Sequence, residues 1–439
     1  MRDAEGATTM TISRRHFLKA LGIGGAASAL AACAQMPGER TRGAHVVVVG
    51  GGSGGATAAK YLRRFDPDLR VTLVEPNATY HTCYGSNWVL GGIRQMDGIV
   101  QTYGTLRDIH GVNVIQDTVT GIDADARKVT LAGGQTLDYD RLVVSPGIDF
   151  NWEAAAHGTS ANTVEQIPHA WKAGPQTALL RRQLEAMPDG GVFVMVAPPN
   201  PFRCPPGPYE RASMVAHYFK THKPRSKVLI LDVKERFSKQ GLFMAGWKEN
   251  YGDMIEWVSA NDGGMVQSIN PTQKIAVSDG GLNRFNADVL NYIPPQKAGQ
   301  VAHDAGLTNE SGWCPVNQVT FESSIHPGIH VIGDASIAGA MPKSGHSANS
   351  QGKLVAAAIV NTLKGRDPVA PSMVNTCYSL ITPDWGISVA AVYRFDDGSI
   401  KGVEGAGGVS PADADRNFRM LEANYTRGWY DSITTDIWG

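Results

Sequence analysis

The chain has 439 residues, of which 42% are hydrophobic and 18% are charged, and its formal net charge is −1. This length is enough for two or three domains with sizeable cores. The near-neutral charge provides no basic surface for nucleic acid, so we expect no nucleic-acid partner. The five cysteines include no Cys-x-x-Cys pair. This argues against a zinc site or a thioredoxin-type motif, and we expect no bound metal.

The N-terminal segment is typical of an export signal. Arg14 and Arg15 precede a short apolar run at residues 20–32, which cannot cross a hydrocarbon layer of about 30 Å as a helix. An ordinary amphipathic helix with a basic start is the alternative. We expect twin-arginine export, a periplasmic location and no transmembrane segment. Cys33 ends a lipobox-like sequence and is a candidate for lipidation, although Ala29-Leu30-Ala31 offers an ordinary cleavage site.

A continuous apolar run at residues 45–49 leads into a glycine-rich turn. The first glycine of a dinucleotide fingerprint permits a tight turn, the second lets the backbone approach a pyrophosphate, and the third lets the next helix pack on the strand. These three positions are filled by Gly50, Gly52 and Gly55. We predict a helix over 56–64 and a second strand over 71–74. Glu75 then follows at the position of a ribose-binding carboxylate, so this order predicts a dinucleotide site.

Two later segments favour FAD over NAD at this site. Residues 139–147 read as a strand that ends at Gly147, and residues 329–335 read as a strand followed by Asp334. Each alone fits any buried strand that ends in a turn. In this order they resemble the two-dinucleotide-domain flavoproteins, in which the late aspartate binds the ribityl chain of FAD.

The middle of the chain contains a second buried strand, at residues 191–197. It leads into residues 198–207, which are rich in proline rather than glycine. Proline removes backbone donors and fixes φ, so this loop does not cradle a pyrophosphate in the usual way. We therefore expect a second Rossmann-like domain without a nucleotide pocket, and an electron donor other than NADH.

Several longer motifs resemble the flavoprotein subunit of flavocytochrome c sulfide dehydrogenase, and the resemblance covers essentially the whole mature chain. The motifs lie at residues 82–87 (Thr-Cys-Tyr-Gly-Ser-Asn), 168–174, 202–211, 312–316, 341–352 and 375–379. The resemblance implies an α/β fold with two Rossmann-like, glutathione-reductase-like domains and an α+β C-terminal interface domain. The corresponding boundaries are 1–43 for the signal and linker, 44–155 with 300–370 for the FAD domain, 156–299 for the second domain, and 371–439 for the C-terminal domain.

The resemblance also implies how sulfide is oxidised. Cys83 matches the cysteine that carries the flavin through a thioether; a free cysteine beside a non-covalent FAD is the alternative. Cys204 and Cys377 match a redox-active disulfide, which hydrosulfide attacks to give a persulfide and a thiolate, and electrons then enter the flavin. A purely structural disulfide between two domains is the alternative. The order in which the two sulfurs react stays open.

Other residues are assigned smaller roles. Glu210 is a candidate base for sulfide, or else a helix-start residue that caps amides or pairs with Arg211. Lys343, or the helix predicted over 348–363, is expected to stabilise the anionic reduced flavin, unless the lysine is a solvated loop residue. His169 and His346 are expected to be structural rather than catalytic. Cys314 is expected to be a buried free thiol.

The resemblance implies a separate c-type cytochrome subunit as the electron acceptor. The chain has no Cys-x-x-Cys-His motif with which to hold a c-type haem itself. The resemblance implies that the aromatic-rich C-terminal part covers the flavin and docks the cytochrome, with Trp429 as the candidate aromatic between flavin and haem. A sulfide:quinone oxidoreductase is the alternative enzyme, although no apolar anchor ends the chain. A flavin-bearing assembly subunit is the non-enzyme alternative, and a scaffold would need neither Cys204 nor Cys377.

Overall fold

Two parallel β-sheets and one antiparallel sheet organise the protein. The structure, a computed structural model, describes residues 43–439. The twin-arginine motif, the apolar run after it and Cys33 lie outside the described residues. Helices and strands are numbered in chain order below.

The α-helices of the described part are α1 (Ser53–Phe65), α2 (Ser86–Leu90), α3 (Gly104–Asp108), α4 (Pro175–Ala186), α5 (Gly207–His222), α6 (Gln240–Tyr251), α7 (Gln300–Asp304), α8 (Gly345–Leu363) and α9 (Arg416–Trp438). The strands of the first half are β1 (His45–Val49), β2 (Arg70–Val74), β3 (Thr79–His81), β4 (Val100–Thr102), β5 (Asn113–Ile115), β6 (Val119–Asp123), β7 (Lys128–Leu131), β8 (Thr136–Asp138), β9 (Arg141–Val144), β10 (Ile148–Phe150), β11 (Val192–Ala197) and β12 (Lys227–Asp232). The strands of the second half are β13 (Ile255–Val258), β14 (Val266–Asn270), β15 (Ile275–Ser278), β16 (Asn283–Asn286), β17 (Val289–Tyr292), β18 (Gln296–Ala298), β19 (Cys314–Pro315), β20 (Ile329–Val331), β21 (Ser336–Ile337), β22 (Ser372–Thr382), β23 (Trp385–Asp396) and β24 (Ser399–Val409).

The first sheet has the strand order β20-β9-β1-β2-β5, and every neighbouring pair is parallel. Val46, Val47 and Val48 of the central strand β1 are fully buried, as expected for a strand covered on both faces. Helices α1 and α8 contact each other beside this sheet. Because β20 follows the middle sheet in sequence, two separate stretches of chain build the first sheet.

The middle sheet has the order β13-β12-β11-β17 and is also entirely parallel. Its central strand β11 buries Phe193, Val194 and Met195 completely. The predicted α/β fold with two Rossmann-like sheets is therefore confirmed. Two smaller antiparallel sheets interrupt the parallel ones in sequence: β6-β7-β8 lies between β5 and β9, and β14-β15-β16 lies between β13 and β17.

The C-terminal part is an antiparallel sheet in the order β22-β23-β24, and helix α9 contacts β22 and β23. The predicted α+β character of this part is confirmed. Helices α5 and α8 also contact β22. Cys377 lies in β22 and pairs in register with Val389, so it belongs to the strand that contacts both α5 and α8.

Two helices begin earlier than the sequence predicts. Helix α1 begins at Ser53 rather than at residue 56, because Gly54 and Gly55 of the fingerprint belong to its first turn. Helix α8 begins at Gly345 rather than at residue 348, because the Ser344 hydroxyl accepts a hydrogen bond from the Ser347 amide at 3.0 Å and caps the helix there. Within residues 43–439, no helix combines the length and the apolar character that crossing a membrane requires.

Candidate functional site

A cavity of about 800 Å³ opens at the carboxyl ends of strands β1, β2 and β9. Ligands of parallel α/β sheets bind at this edge, and the volume is typical of a cofactor site. The predicted cofactor residues that line it are Gly50, Gly52, Glu75, Cys83, Gly147 and Asp334. The structure therefore brings together residues that are separated by almost three hundred positions in sequence.

The glycines of the fingerprint leave no room for side chains. Gly50 has a φ of +96°, and a Cβ there would lie 2.4 Å from the Ser145 carbonyl oxygen. A Cβ on Gly55 would lie 1.9 Å from the Gly50 carbonyl oxygen. Gly52 lines the cavity directly, just before the N-terminus of α1, where free amides favour an anion. This cradle fits the pyrophosphate of a dinucleotide.

Two carboxylates face the same cavity. Asp334 Oδ1 is buried and has no hydrogen-bond partner among the described residues, so a ligand is needed to satisfy it. Burial raises the pKa of Asp334, while the neighbouring Arg203 opposes this shift. Glu75 Oε2 accepts a hydrogen bond from the Gly51 amide at 2.8 Å, and Oε1 accepts one from the Asn77 amide at 3.0 Å. Both carboxylates retain acceptor capacity for the hydroxyls of FAD.

Cys83 is half-buried and lines the cavity together with Arg203. Burial raises the pKa of the Cys83 thiol, and the guanidinium of Arg203 opposes that shift. The predicted tether therefore lies in the predicted FAD cavity. Arg203 was not identified from the sequence, although it directly precedes Cys204. Its Nη1 lies 3.9 Å from Asp334 Oδ2, so it is a buried cation of the cofactor cavity.

Cys204, just after β11 of the middle sheet, and Cys377, in the C-terminal sheet, lie within electrostatic reach of each other. None of the four cysteines in residues 43–439 forms a disulfide in the structure. Cys204 and Cys377 nevertheless lie close enough for the charge on the Cys377 thiolate to raise the pKa of Cys204. Cys204 has a φ of +59°, a conformation that non-glycine residues rarely adopt outside functional sites. Its amide donates to the Lys343 carbonyl oxygen at 2.8 Å, which fixes its loop.

Glu210 lies in the first turn of α5 and is buried. Its Oε1 accepts hydrogen bonds from Trp88 Nε1 at 3.2 Å and from the Leu380 amide at 3.0 Å. Its Oε2 accepts one from Asn87 Nδ2 at 2.9 Å. The carboxylate thus joins α2, α5 and β22, and its partners are neither the helix amides nor Arg211. The charge of Glu210 acts on both Cys204 and Cys377.

Lys239 lies near Glu210 and the two thiols, and the sequence did not predict it as a site residue. Its side chain is 8% exposed, and burial lowers its pKa to about 8 although the nearby thiols and Glu210 oppose that shift. Its ammonium donates to the Cys377 carbonyl oxygen at 3.1 Å and to Ser379 Oγ at 2.9 Å. We call Cys204, Cys377, Glu210 and Lys239 the thiol cluster. No sequence motif marks Lys239, because only tertiary folding brings it there.

Lys343 does not line the cavity. Its ammonium donates to the carbonyl oxygens of Asp334 at 2.7 Å and Ser336 at 2.9 Å, and lies 3.7 Å from the ring centroid of Trp313. Burial lowers its pKa to about 8. Lys343 is therefore not a solvated loop residue. Arg203 and the first turn of α8, which contributes Gly345, reach the cavity in its place.

The two histidines and Cys314 have structural surroundings. His169 Nδ1 accepts a hydrogen bond from the Trp171 amide at 3.0 Å, and burial lowers the His169 pKa to about 3. His346 Nδ1 accepts one from the Thr376 amide at 2.9 Å. Cys314 is fully buried and unbonded to another cysteine, as predicted.

Trp429 is half-buried in α9 and lies one residue away from the cavity. Its ring centroid is 5.5 Å from that of Tyr84 and 6.2 Å from that of His346. The Tyr84 hydroxyl lies 3.0 Å from Ser53 Oγ, and Ser53 lines the cavity. A short aromatic path therefore connects Trp429 to the fingerprint turn.

The middle sheet has its own carboxylate, Asp232, at the strand end that corresponds to Glu75, but neighbouring side chains bond to it. Asp232 ends β12 and is fully buried. It accepts a hydrogen bond from Tyr209 Oη at 2.6 Å and pairs with Lys234 Nζ at 2.6 Å. Trp257 Nε1 donates to it at 3.1 Å. A ribose therefore has no free carboxylate to bind there. Within residues 43–439, no group of three His, Cys, Asp or Glu side chains could hold a metal ion.

Four models of known protein families match separate parts of the chain. Models for the central and flavin-binding parts of the flavocytochrome c sulfide dehydrogenase flavoprotein chain match residues 177–294 and 369–438. A pyridine nucleotide-disulphide oxidoreductase model matches residues 44–171. A twin-arginine translocation signal model matches residues 11–31, so the chain carries an export signal. The flavin-binding and oxidoreductase matches support FAD as the cofactor.

Two curated relatives and one solved structure add detail. The chain is 64% identical over 44 residues to the flavoprotein chain of sulfide dehydrogenase (flavocytochrome c) from Chlorobaculum thiosulfatiphilum, a match that covers 10% of this chain and 92% of the relative. It is 24% identical over 312 residues to the mitochondrial sulfide:quinone oxidoreductase of Mus musculus, covering 66% of this chain and 65% of that protein's length.

The structure of sulfide:quinone oxidoreductase from Aquifex aeolicus superposes with a TM-score of 0.68 at 19% identity, covering 90% of this chain and 92% of that one. At this identity the likeness shows a common fold. The two family models that match the middle and C-terminal parts, and the 44-residue match at 64% identity, carry the assignment further. The chain belongs to the family of flavocytochrome c sulfide dehydrogenase flavoprotein chains, which are oxidoreductases.

Proposed function

We propose that this protein is an exported, FAD-dependent sulfide dehydrogenase that passes electrons to a c-type cytochrome subunit. The observation that carries the proposal is the position of Cys204, which lies within electrostatic reach of both Cys377 and the cavity-lining Cys83. Two thiols there can exchange an electron pair with sulfide and with the flavin. A scaffold protein would need neither of them.

In the resting enzyme of this proposal, Cys204 and Cys377 form a disulfide. Hydrosulfide attacks one sulfur, a new S–S bond forms, and the other cysteine leaves as a thiolate. Bound FAD supplies the acceptor for the electron pair, and the cysteine disulfide forms again as the oxidised sulfur leaves. The charge of Cys377, which raises the pKa of Cys204, and the strained backbone of Cys204 support this assignment.

Glu210 is proposed to take the proton of the incoming sulfur species. Oε1 has two donors, whereas Oε2 has one, from Asn87. Oε2 therefore retains a lone pair for a proton. The donors Trp88 and Leu380 hold the carboxylate beside both cysteines, which supports a role in positioning as well as in proton transfer.

Cys83 is proposed to hold the flavin through a thioether. It lines the cavity with Arg203 and Asp334, so its sulfur lies where a ligand of the fingerprint can reach it. A covalent link suits an exported protein, because a lost cofactor is difficult to replace outside the cytoplasm. Arg203 is proposed to stabilise negative charge on the bound cofactor, a role first expected of Lys343.

The acceptor is proposed to be a cytochrome that docks near α9. Apolar side chains on this helix are exposed, namely Phe418, Met420, Leu421 and Tyr425, and exposed apolar patches mark interaction surfaces. Trp429 of the same helix reaches the fingerprint through Tyr84. We propose Trp429 as the aromatic that lies on the electron route.

The location is proposed to be the periplasm, on the strength of the twin-arginine signal. Lipidation of Cys33 is a further proposal, and mass spectrometry of the mature N-terminus tests it. An unmodified N-terminus beyond Cys33 would overturn it.

Quinone is the second candidate acceptor, because the mouse relative is a sulfide:quinone oxidoreductase. The test supplies sulfide to the flavin-containing protein together with either oxidised cytochrome c or a soluble ubiquinone analogue. We expect sulfide-dependent reduction of cytochrome c and little reduction of the quinone. Preferential reduction of the quinone would replace the cytochrome assignment, and reduction of neither acceptor would contradict the proposed activity.

A further inference from the structure

The ammonium of Lys239 lies against the backbone of Cys377. Besides the carbonyl of Cys377 and the hydroxyl of Ser379, it contacts the Ile387 carbonyl oxygen at 3.4 Å. All three acceptors are neutral oxygens. A buried cation without a directly bonded carboxylate is costly, so its position beside a cysteine calls for a functional reason.

The two cysteine sulfurs have unequal surroundings. Cys377 Sγ accepts a hydrogen bond from Asn375 Nδ2 at 3.5 Å, whereas no hydrogen bond to Cys204 Sγ is formed within residues 43–439. Burial raises the pKa of both thiols. Lys239 opposes that shift at Cys377. At Cys204 the anions of Cys377, Cys83 and Glu210 add to it, and Arg203 opposes it.

The other charged groups near the two cysteines do not reverse the difference between Cys377 and Cys204 in how well a thiolate is stabilised. Arg211 is buried beside Cys204, but its guanidinium donates to Asn87 Oδ1, Asn291 Oδ1 and backbone carbonyls. Glu210 acts on both sulfurs, and Glu422 acts on Lys239. Tyr393 also lies within electrostatic reach of Cys377. Lys239 is the cation that acts on Cys377.

We propose that Lys239 is a positioning residue that makes Cys377 the leaving thiolate, so that sulfide attacks the sulfur of Cys204. This inference rests on the proposed sulfide dehydrogenase function and deepens it. In disulfide exchange, the sulfur that is better stabilised as a thiolate leaves faster. The ammonium of Lys239 and the amide of Asn375 provide that stabilisation to Cys377.

The step balances as a simple exchange. The HS⁻ lone pair forms a bond to Cys204 Sγ, and the bond between Cys204 Sγ and Cys377 Sγ breaks. The bonding pair leaves with Cys377, which becomes a thiolate, and the proton stays on the new Cys204 persulfide. Arg203 precedes Cys204, lines the cavity and lies within electrostatic reach of its sulfur, so it draws the anionic nucleophile toward Cys204.

The first experiment maps the persulfide. The oxidised, flavin-containing protein is mixed with one equivalent of sulfide without oxygen, quenched with iodoacetamide and analysed by peptide mass spectrometry. We expect the persulfide adduct on Cys204, in at least about tenfold excess over Cys377, and simple alkylation on Cys377. A persulfide mainly on Cys377 would overturn the inference while leaving the proposed function intact.

The second experiment measures how pH controls alkylation of Cys377 in the chemically reduced protein. In Lys239→Met, loss of the cation raises the Cys377 pKa by about one unit, so alkylation below that pKa slows about tenfold. Lys239→Arg keeps the charge and is expected to restore the wild-type profile. Cys204 alkylation is expected to change less than Cys377 alkylation.

Lys223→Met is the matched control. Lys223 is also 8% exposed, and its ammonium donates to the carbonyl oxygens of Glu185 and Met187. Its loss removes a buried lysine without removing a charge from the thiol cluster, so the Cys377 profile should not change. An unchanged profile in Lys239→Met would contradict the inference.

The outcomes separate this inference from the proposed function. If sulfide forms no persulfide on either cysteine and leaves the flavin oxidised, the proposed function fails. If Lys239→Met does not fold, the persulfide map of the wild-type protein alone decides between Cys204 and Cys377.

Discussion

At the scale of single residues, the groups proposed to bind the cofactor line the cavity, whereas the groups proposed to react with sulfide form the thiol cluster. Asp334 has a buried oxygen without a partner in the described part of the chain, and Cys83 lies in the same cavity. Cys204 and Glu210 do not line that cavity, but Arg203, which does, directly precedes Cys204. Arg203 therefore links the cofactor cavity to the thiol cluster along the chain.

The tether gives the first prediction. After denaturation in acid, the flavin absorbance should stay with the wild-type polypeptide, and the labelled peptide should contain Cys83. Cys83→Ser should release free FAD, because serine forms no thioether. Cys314→Ala removes a buried thiol outside the cavity and should keep the flavin attached. Free FAD from the wild-type protein would refute the covalent link.

A buried histidine gives the second prediction. His330 is 3% exposed, and burial lowers its pKa to about 4. The unfolded chain binds a proton at this residue below about pH 6.5, whereas the folded chain does not. The free energy of unfolding therefore does not depend on His330 above about pH 6.5, and it falls as the pH drops from 6.5 toward 4.

Urea unfolding at pH 7 and pH 5 measures this effect. His330→Gln should lose about 2 kcal/mol less unfolding free energy between these pH values than the wild type. His222→Gln, at an exposed position, should follow the wild type. Equal losses in His330→Gln and the wild type would show that His330 is protonated in the folded protein.

The site residues that the sequence predicts lie at fixed spacings from strands, whereas those that it does not predict are placed by tertiary contacts. The fingerprint glycines, Glu75 and Asp334 follow strands at fixed spacings, so local pattern was enough to predict them. Lys239 lies in the turn before α6 and reaches β22 only because α5 and α6 of the middle part contact that strand. Burial and tertiary contact decide its role, and neither can be read from one sequence.

At the scale of elements, the strand ends determine what each parallel sheet binds. The first sheet presents the fingerprint and Glu75 at the carboxyl ends of β1 and β2. In the middle sheet, the proline-rich loop follows β11. The carboxylate at the end of the next strand, Asp232, accepts a hydrogen bond from Tyr209 and forms an ion pair with Lys234. The prolines predicted the loss of a nucleotide site, while the side chains that fill it required the structure.

This difference gives the third prediction. Excess NADH, added without oxygen, should leave the flavin oxidised, because the middle sheet has no free carboxylate or glycine cradle for it. Dithionite should bleach the same sample and so show that the flavin can be reduced. The measurement is the visible absorbance of the flavin, and rapid bleaching by NADH would show that a nucleotide does bind.

At the scale of the whole molecule, function depends on three parts meeting at one place. The first sheet supplies the cofactor cavity, α5 supplies Glu210 behind the loop of Cys204, and the C-terminal sheet supplies Cys377. Helix α9 also returns to the fingerprint, where Trp438 Nε1 donates to the Gly51 carbonyl oxygen at 3.3 Å and its ring stacks on Tyr80 at 5.2 Å. The C-terminal part is therefore needed for both the cofactor site and the thiol cluster.

The most direct test of the central claim is rapid anaerobic mixing of the flavin-containing protein with one equivalent of sulfide. Flavin absorbance is recorded for the wild type, Cys377→Ser, Cys204→Ser and the control Cys314→Ala. The account predicts bleaching in the wild type and the control, and at least about 100-fold slower bleaching when either member of the proposed disulfide is replaced. Bleaching of Cys377→Ser or Cys204→Ser at the wild-type rate would contradict the account.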